Sequence, residues 1–264
     1  MGDLLLEPFV VRALIAILII AINASIAGSF TVFRNVSFLI AGASHSALAG
    51  YALLILLSGY GIHLNPYFGS IAFALAIAYL AGRSKETNTA IGIAFAMSMS
   101  LAILFISMTK EYASKVWTIL VGDLFLLTNQ DIYLMILMTI LIVIASAIYY
   151  RAFLFISFDP EGAEAFGINV KLYNYILLSM ISLSTIILLK GVGAILVFAM
   201  LVAPSASANL IARNIREVFV CSFLIALTSM LFSLIISFFI ELSPSALASL
   251  IASTAYFIAS FRKE

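Results

Sequence analysis

The chain has 264 residues, of which 64% are hydrophobic and only 9% charged, where a soluble domain carries about 25% charged residues. That composition describes a polytopic membrane protein and excludes a soluble catalytic or nucleotide-binding domain, so any driving energy comes from a partner or a gradient. A net charge of +1 offers no electrostatic basis for binding nucleic acid.

Hydropathy marks nine apolar segments, at 9–29, 37–59, 66–82, 88–108, 131–150, 173–190, 192–212, 218–240 and 244–261. The expected fold is an all-α polytopic bundle of about nine transmembrane helices in a single domain, 1–264. The count falls to eight if the pair 173–190 and 192–212, separated only around Lys190-Gly191-Val192-Gly193, fuses or re-enters. No basic region precedes the first segment, which runs too long for a signal peptide and is expected to remain as a span.

The second segment is unusual because it combines small residues with an ionisable one. Ser44-His45-Ser46-Ala47-Leu48-Ala49-Gly50 places His45 roughly 12 Å into a hydrocarbon core of about 30 Å. An ionisable side chain at that depth is a functional candidate unless something pairs with it. The competing reading is a neutral packing histidine whose ring nitrogens bond a carbonyl and a Ser hydroxyl. Ser44, Ser46 and Gly50 let a neighbouring helix approach closely. His63, between Gly61 and Asn65, reads as an ordinary surface residue of a short outer loop.

Between the fourth and fifth segments, Lys110 to Gln130 contains the only tryptophan, Trp117. The stretch is too short to cross, and Trp117 suits the interface, so an outer-surface or re-entrant half-helix is expected. Next comes a polar island at about 158–168, holding three of the twelve carboxylates. Such a segment cannot lie in lipid. Asp159 is placed to cap a helix, Pro160 to open it, Glu161 and Glu164 to complement its positive end, and Gly167 to end it after two turns, across Gly162, Ala163 and Ala165. If the island is cytoplasmic, nine basic residues face inside and four outside, Arg12, Lys110, Lys115 and Lys190, which obeys the positive-inside rule and puts the N-terminus outside and the C-terminus inside. Pro204 interrupts the seventh segment and frees a carbonyl, either to line a pathway or simply to kink the helix. Cys221, the single cysteine, reads as a buried structural thiol.

Together these stretches resemble the metal-type ABC permease family, importers of zinc, manganese or iron. The resemblance spans nearly the whole chain. It rests on Gly28-Ser29-Phe30-Thr31-Val32-Phe33-Arg34, Ser44 to Gly50, Asp159 to Gly167, Gly191 to Pro204 and Leu242-Ser243-Pro244-Ser245-Ala246, in that order. It implies a type II ABC importer-like bundle in a prokaryotic plasma membrane, working by alternating access. Its partners would be a second copy of the chain, two ABC ATPase subunits that carry the hydrolysis, and an extracellular metal-binding protein. The 159–167 helix would be the coupling helix, His45 a pathway ligand, and a divalent metal the cargo, with no resident cofactor. Many members place an aspartate four residues before the motif histidine, where this chain has Ala41. An organic metal chelate of the siderophore or cobalamin kind is the alternative cargo, and a secondary transporter the more distant reading.

Overall fold

A computed structural model describes residues 7–108, 120–240 and 242–261. Among them every regular element is helical, as expected of a chain whose backbone groups must be satisfied within each segment in lipid. In chain order these are α1 (Pro8–Phe33), α2 (Phe38–Ser58), α3 (Pro66–Arg83), α4 (Thr87–Met108), α5 (Asn129–Phe158), α6 (Pro160–Ala165), α7 (Val170–Val192), α8 (Val197–Ile211), α9 (Ile215–Ile240) and α10 (Pro244–Phe261).

Seven of them are long and apolar enough to cross a membrane: α1, α2, α4, α5, α7, α9 and α10. The expectation of nine crossings, or eight, is corrected to these seven. The 15 residues of α8 rise about 22 Å, short of a hydrocarbon core of about 30 Å. The 18 residues of α3 open on Pro66-Tyr67 and close on Gly82-Arg83, which dilutes their apolar content.

The helices pack as two groups joined by a third. α2 lies against α3 and α4, while α8, α9 and α10 pack on one another, and α7 bridges from α5 to α2 and α3. The larger core is built on buried Phe30, Phe153, Leu177 and Met200. A smaller one gathers Ala43, Ala47 and Ala49 of α2 against Ala74, Ala102, Leu189 and Ala194. Small side chains on α2 are what permit the second core: a Cβ on Gly50 would collide with the carbonyl of Gly69, and one on Gly69 with the carbonyl of Gly50. Here the two backbones touch.

Within α1, a π-turn at Ala24–Gly28 breaks the regular hydrogen-bond ladder. The Ala24 carbonyl is taken up by neighbouring helices, accepting from the hydroxyls of Ser205 (2.8 Å) and Ser222 (3.3 Å). Pro204 is buried immediately beside Ser205 in α8, so the proline sits where α8 meets the π-turn. Cys221, expected to be buried, is only half-buried on α9.

Candidate functional site

On α2 the two serines flanking His45 are both committed elsewhere. Ser44 Oγ donates to the carbonyls of Ala41 (3.0 Å) and Ala194 (3.2 Å), and Ser46 Oγ donates to the Phe73 carbonyl (2.9 Å). Neither hydroxyl serves the imidazole. His45 Nδ1 is buried with no hydrogen-bond partner among the described residues, so the reading of a satisfied packing histidine is not met. Buried polar atoms in native proteins are nearly always paired, and an exception calls for an explanation such as an ion. No group of three His, Cys, Asp or Glu side chains capable of holding a metal occurs among the described residues.

The half-buried ring meets Phe95 of α4 edge-on at 5.0 Å between centroids, and Phe95 in turn meets Phe38 at 5.3 Å. Phe38 opens α2 and is 44% exposed. Two residues before it in the chain, Val36 lines a polar cavity of about 540 Å³, shared with Arg34, Asn35, Asn88 and Asn174. His45 is thus connected through two aromatic rings to α2's start, which adjoins this wide polar cavity. Ala41, one turn before His45 on the same face, contributes no ligand atom from its side chain. His63 is exposed, as expected.

The hairpin between α7 and α8 is not an outer loop beyond the helix ends. Ala194 lies against Ser44, the seventh of the 21 residues of α2. Gly193 holds φ +90° there, and a Cβ on it would strike the backbone of Val121 and Gly122. Of the expected half-helix, residues 109–119, including Trp117, lie outside the described residues. The rest is packed inward only in part: Leu124 and Leu127 are buried, Val121 and Leu126 are exposed, and Asp123 N donates to the Lys190 carbonyl at 3.1 Å. Pro204 stands ten residues beyond Ala194, at the α1–α8 contact.

The polar island forms α6 as its sequence dictates. Asp159 Oδ1 caps the helix by accepting from Gly162 N (2.8 Å), Pro160 occupies the first turn, and Gly167 closes the helix at φ +79°. Ala163 is fully buried against the core, while Glu161, Glu164 and Ala165 face outward and Phe166 is 81% exposed. Gly162 has a reason internal to this turn: a Cβ there would collide with the Asp159 carboxylate. Gly162→Ala should therefore cost the same cap as Asp159→Ala, about 1 kcal/mol each. The double variant should lose no more than either alone, read as amide exchange across 160–165; additive losses would mean that Gly162 and the cap are independent.

The sequence profile of the ABC 3 transport family matches residues 7–263. The chain belongs to that family. It is 33% identical over 256 residues to "Manganese transport system membrane protein MntC" of Listeria monocytogenes, covering 95% of this chain and 89% of that one. It is 30% identical over 258 residues to "Manganese import system permease protein ScaB" of Streptococcus gordonii, covering 96% and 90%. Among solved structures it resembles "PsaBC from Streptococcus pneumoniae in complex with Fab", with a TM-score of 0.85, 28% identity and 98% and 93% of the two chains covered. An inward-facing putative metal-chelate type ABC transporter shares the fold, with a TM-score of 0.74 at 18% identity over 96% and 85% of the two chains.

One polar cluster of this ABC 3 permease escaped the sequence reading, which treated Lys190 as an outer-loop charge. Its ammonium lies 2.6 Å from Asp131 Oδ2, at the start of α5. Asp131 is 6% exposed. Oδ1 accepts from the Tyr67 hydroxyl of α3 at 3.0 Å, while Oδ2 also accepts from Thr128 N at 2.7 Å and from the Thr128 hydroxyl. The available signal was Thr128-Asn129-Gln130-Asp131, a hydroxyl followed three residues later by an acid ahead of an apolar run, which is the pattern of a capping box. The box is present. What the pattern does not contain is the lysine 59 residues away.

Proposed function

We propose that this chain is the membrane permease of an ATP-driven importer of a divalent metal, with manganese as the cargo. The observation that carries the reading is His45: a buried, unpartnered imidazole nitrogen at mid-helix, in a chain similar throughout its length to permeases named for manganese transport. One imidazole is too few for a closed metal site, which takes about four ligands. Weak, incomplete ligation suits a pathway that must release what it binds. In a two-fold dimer a second His45 supplies another nitrogen, and oxygen donors and water complete a shell that a hard ion such as Mn²⁺ accepts. The polar cavity beside the start of α2 offers polar space toward the cytoplasm, and the rings of Phe95 and Phe38 pack between it and the imidazole.

One ABC ATPase subunit binds at the α6 of each of the two copies, whose exposed Glu161 and Glu164, with the adjoining Phe166, form a small docking surface with an apolar tip. An external binding protein delivers the metal on the opposite side. The basic residues on either side of α6, Arg151 and Lys171, favour the cytoplasm for this helix. The test is uptake by the complex reconstituted in vesicles with its ATPase and binding protein. ATP-dependent accumulation of Mn²⁺ is expected, with Zn²⁺ and Fe²⁺ offered in parallel to rank the metals. Uptake only of an intact siderophore or cobalamin would replace bare metal with chelate as the cargo, and a label on α6 reachable from outside the cell would overturn the orientation.

A further inference from the structure

The Asp131 cluster is a buried charged network that neither metal ligation nor ATPase docking uses. It lies at one end of α5, a helix of 30 residues without Gly or Pro, about 45 Å long. The other end of α5 runs into α6 through Asp159 alone, with Asp159 N donating to Phe155 O (2.9 Å) and Ala163 N to Asp159 O (3.0 Å). A push on α6 is therefore delivered to a stiff rod. At the far end, Asp131 holds two other helices at once. Through Lys190 it holds the end of α7, and four residues on, the Ala194 carbonyl accepts from Ser44, the neighbour of His45. Through Tyr67 it holds the start of α3, and two residues on, Gly69 touches Gly50 of α2, five residues past His45.

We propose that Asp131 is a positioning residue for His45. Its carboxylate ties the rod that begins at the ATPase-facing helix to the two contacts, Ser44–Ala194 and Gly50–Gly69, that hold α2 on either side of the imidazole. The inference rests on the importer reading for the direction of the push, and its test separates the two.

Removing one member of a buried ion pair strands the other's charge, whereas neutralising both is commonly tolerated. The informative variant is thus Asp131→Asn with Lys190→Met together, studied in the reconstituted complex with its ATPase. A nitroxide is placed on Ile195, which is 56% exposed, in a Cys221→Ser background so that the label is unique. In the otherwise native chain, ATP should change the label's spectrum. In the double variant the complex should assemble and hydrolyse ATP, the spectral response should vanish, and Mn²⁺ taken up per ATP should fall about ten-fold, a coupling loss of ordinary size. A label that responds equally in the double variant, or one that never responds to ATP, overturns the tie. So does a loss of assembly and hydrolysis in step with uptake, which marks a merely structural role. A label that responds as expected in a complex that carries no Mn²⁺ overturns the importer reading instead and leaves the tie standing.

Discussion

His45→Ala should abolish Mn²⁺ uptake while leaving the permease folded and bound to its ATPase. The argument is one of asymmetry between stability and transport. Because Nδ1 has no partner among the described residues, deleting the ring strands no group at that nitrogen; it relieves an unpaired buried atom whose desolvation is itself unfavourable. The loss is one of packing, including the edge contact with Phe95 at 5.0 Å, and aromatic contacts of this kind contribute about 0.5–1.5 kcal/mol. On the transport side, changes to second-shell partners of a metal site already cost about 10–100-fold, so loss of a protein nitrogen ligand should cost at least that. The measurement pairs vesicle uptake with chromatographic assembly of the complex. Ala41→Asp supplies the opposite change, a carboxylate one turn from the imidazole on the same face, and should tighten Mn²⁺ binding and slow release. Undiminished uptake in His45→Ala would return this residue to a packing role and move the pathway elsewhere.

Gly50→Val is expected to be the most destabilising single change in the helix that carries His45. A Cβ at this position meets the carbonyl oxygen and carbon of Gly69, and helical backbone cannot rotate away as a side chain can. α2 and α3 must separate, which also lengthens the 2.9 Å bond from Ser46 to Phe73 O. Overpacking costs about 1–3 kcal/mol and more where neighbours cannot yield, so a clear fall in the detergent melting temperature is expected together with loss of uptake. Gly92→Ala on α4 is the matched control. A Cβ there meets nothing within 4 Å, and replacing a mid-helix glycine by alanine is worth about 0.5–1 kcal/mol of added stability. A melting temperature unaltered by Gly50→Val would mean that the α2–α3 contact does not hold the helix in place.

The features readable from the sequence alone are those whose causes lie within a few consecutive residues. Apolar runs become helices in lipid because no other element satisfies its own backbone, and all nine marked segments are occupied by helices. α6 was legible for the same reason: Asp159, Pro160 and Gly167 act on their own turn, and the cap and the φ +79° stop are where they were expected. His45 stood out by residue type and depth. Everything that depends on distant parts of the chain was decided by the tertiary structure. Hydropathy cannot say that the α7–α8 hairpin ends beside Ser44, that Gly50 meets Gly69 across two helices, or that Ala24's freed carbonyl accepts from serines of α8 and α9. It counted spans by apolar length and so counted α3 and α8. Lys190 looked like a loop charge because its partner, Asp131, is 59 residues away. His45's unpaired nitrogen was equally invisible, since Ser44 and Ser46 sit next to it in sequence yet spend their hydroxyls on carbonyls at Ala41, Ala194 and Phe73. Local capping and hydropathy are properties of a segment; pairing, close approach and the absence of a partner are properties of the packed bundle.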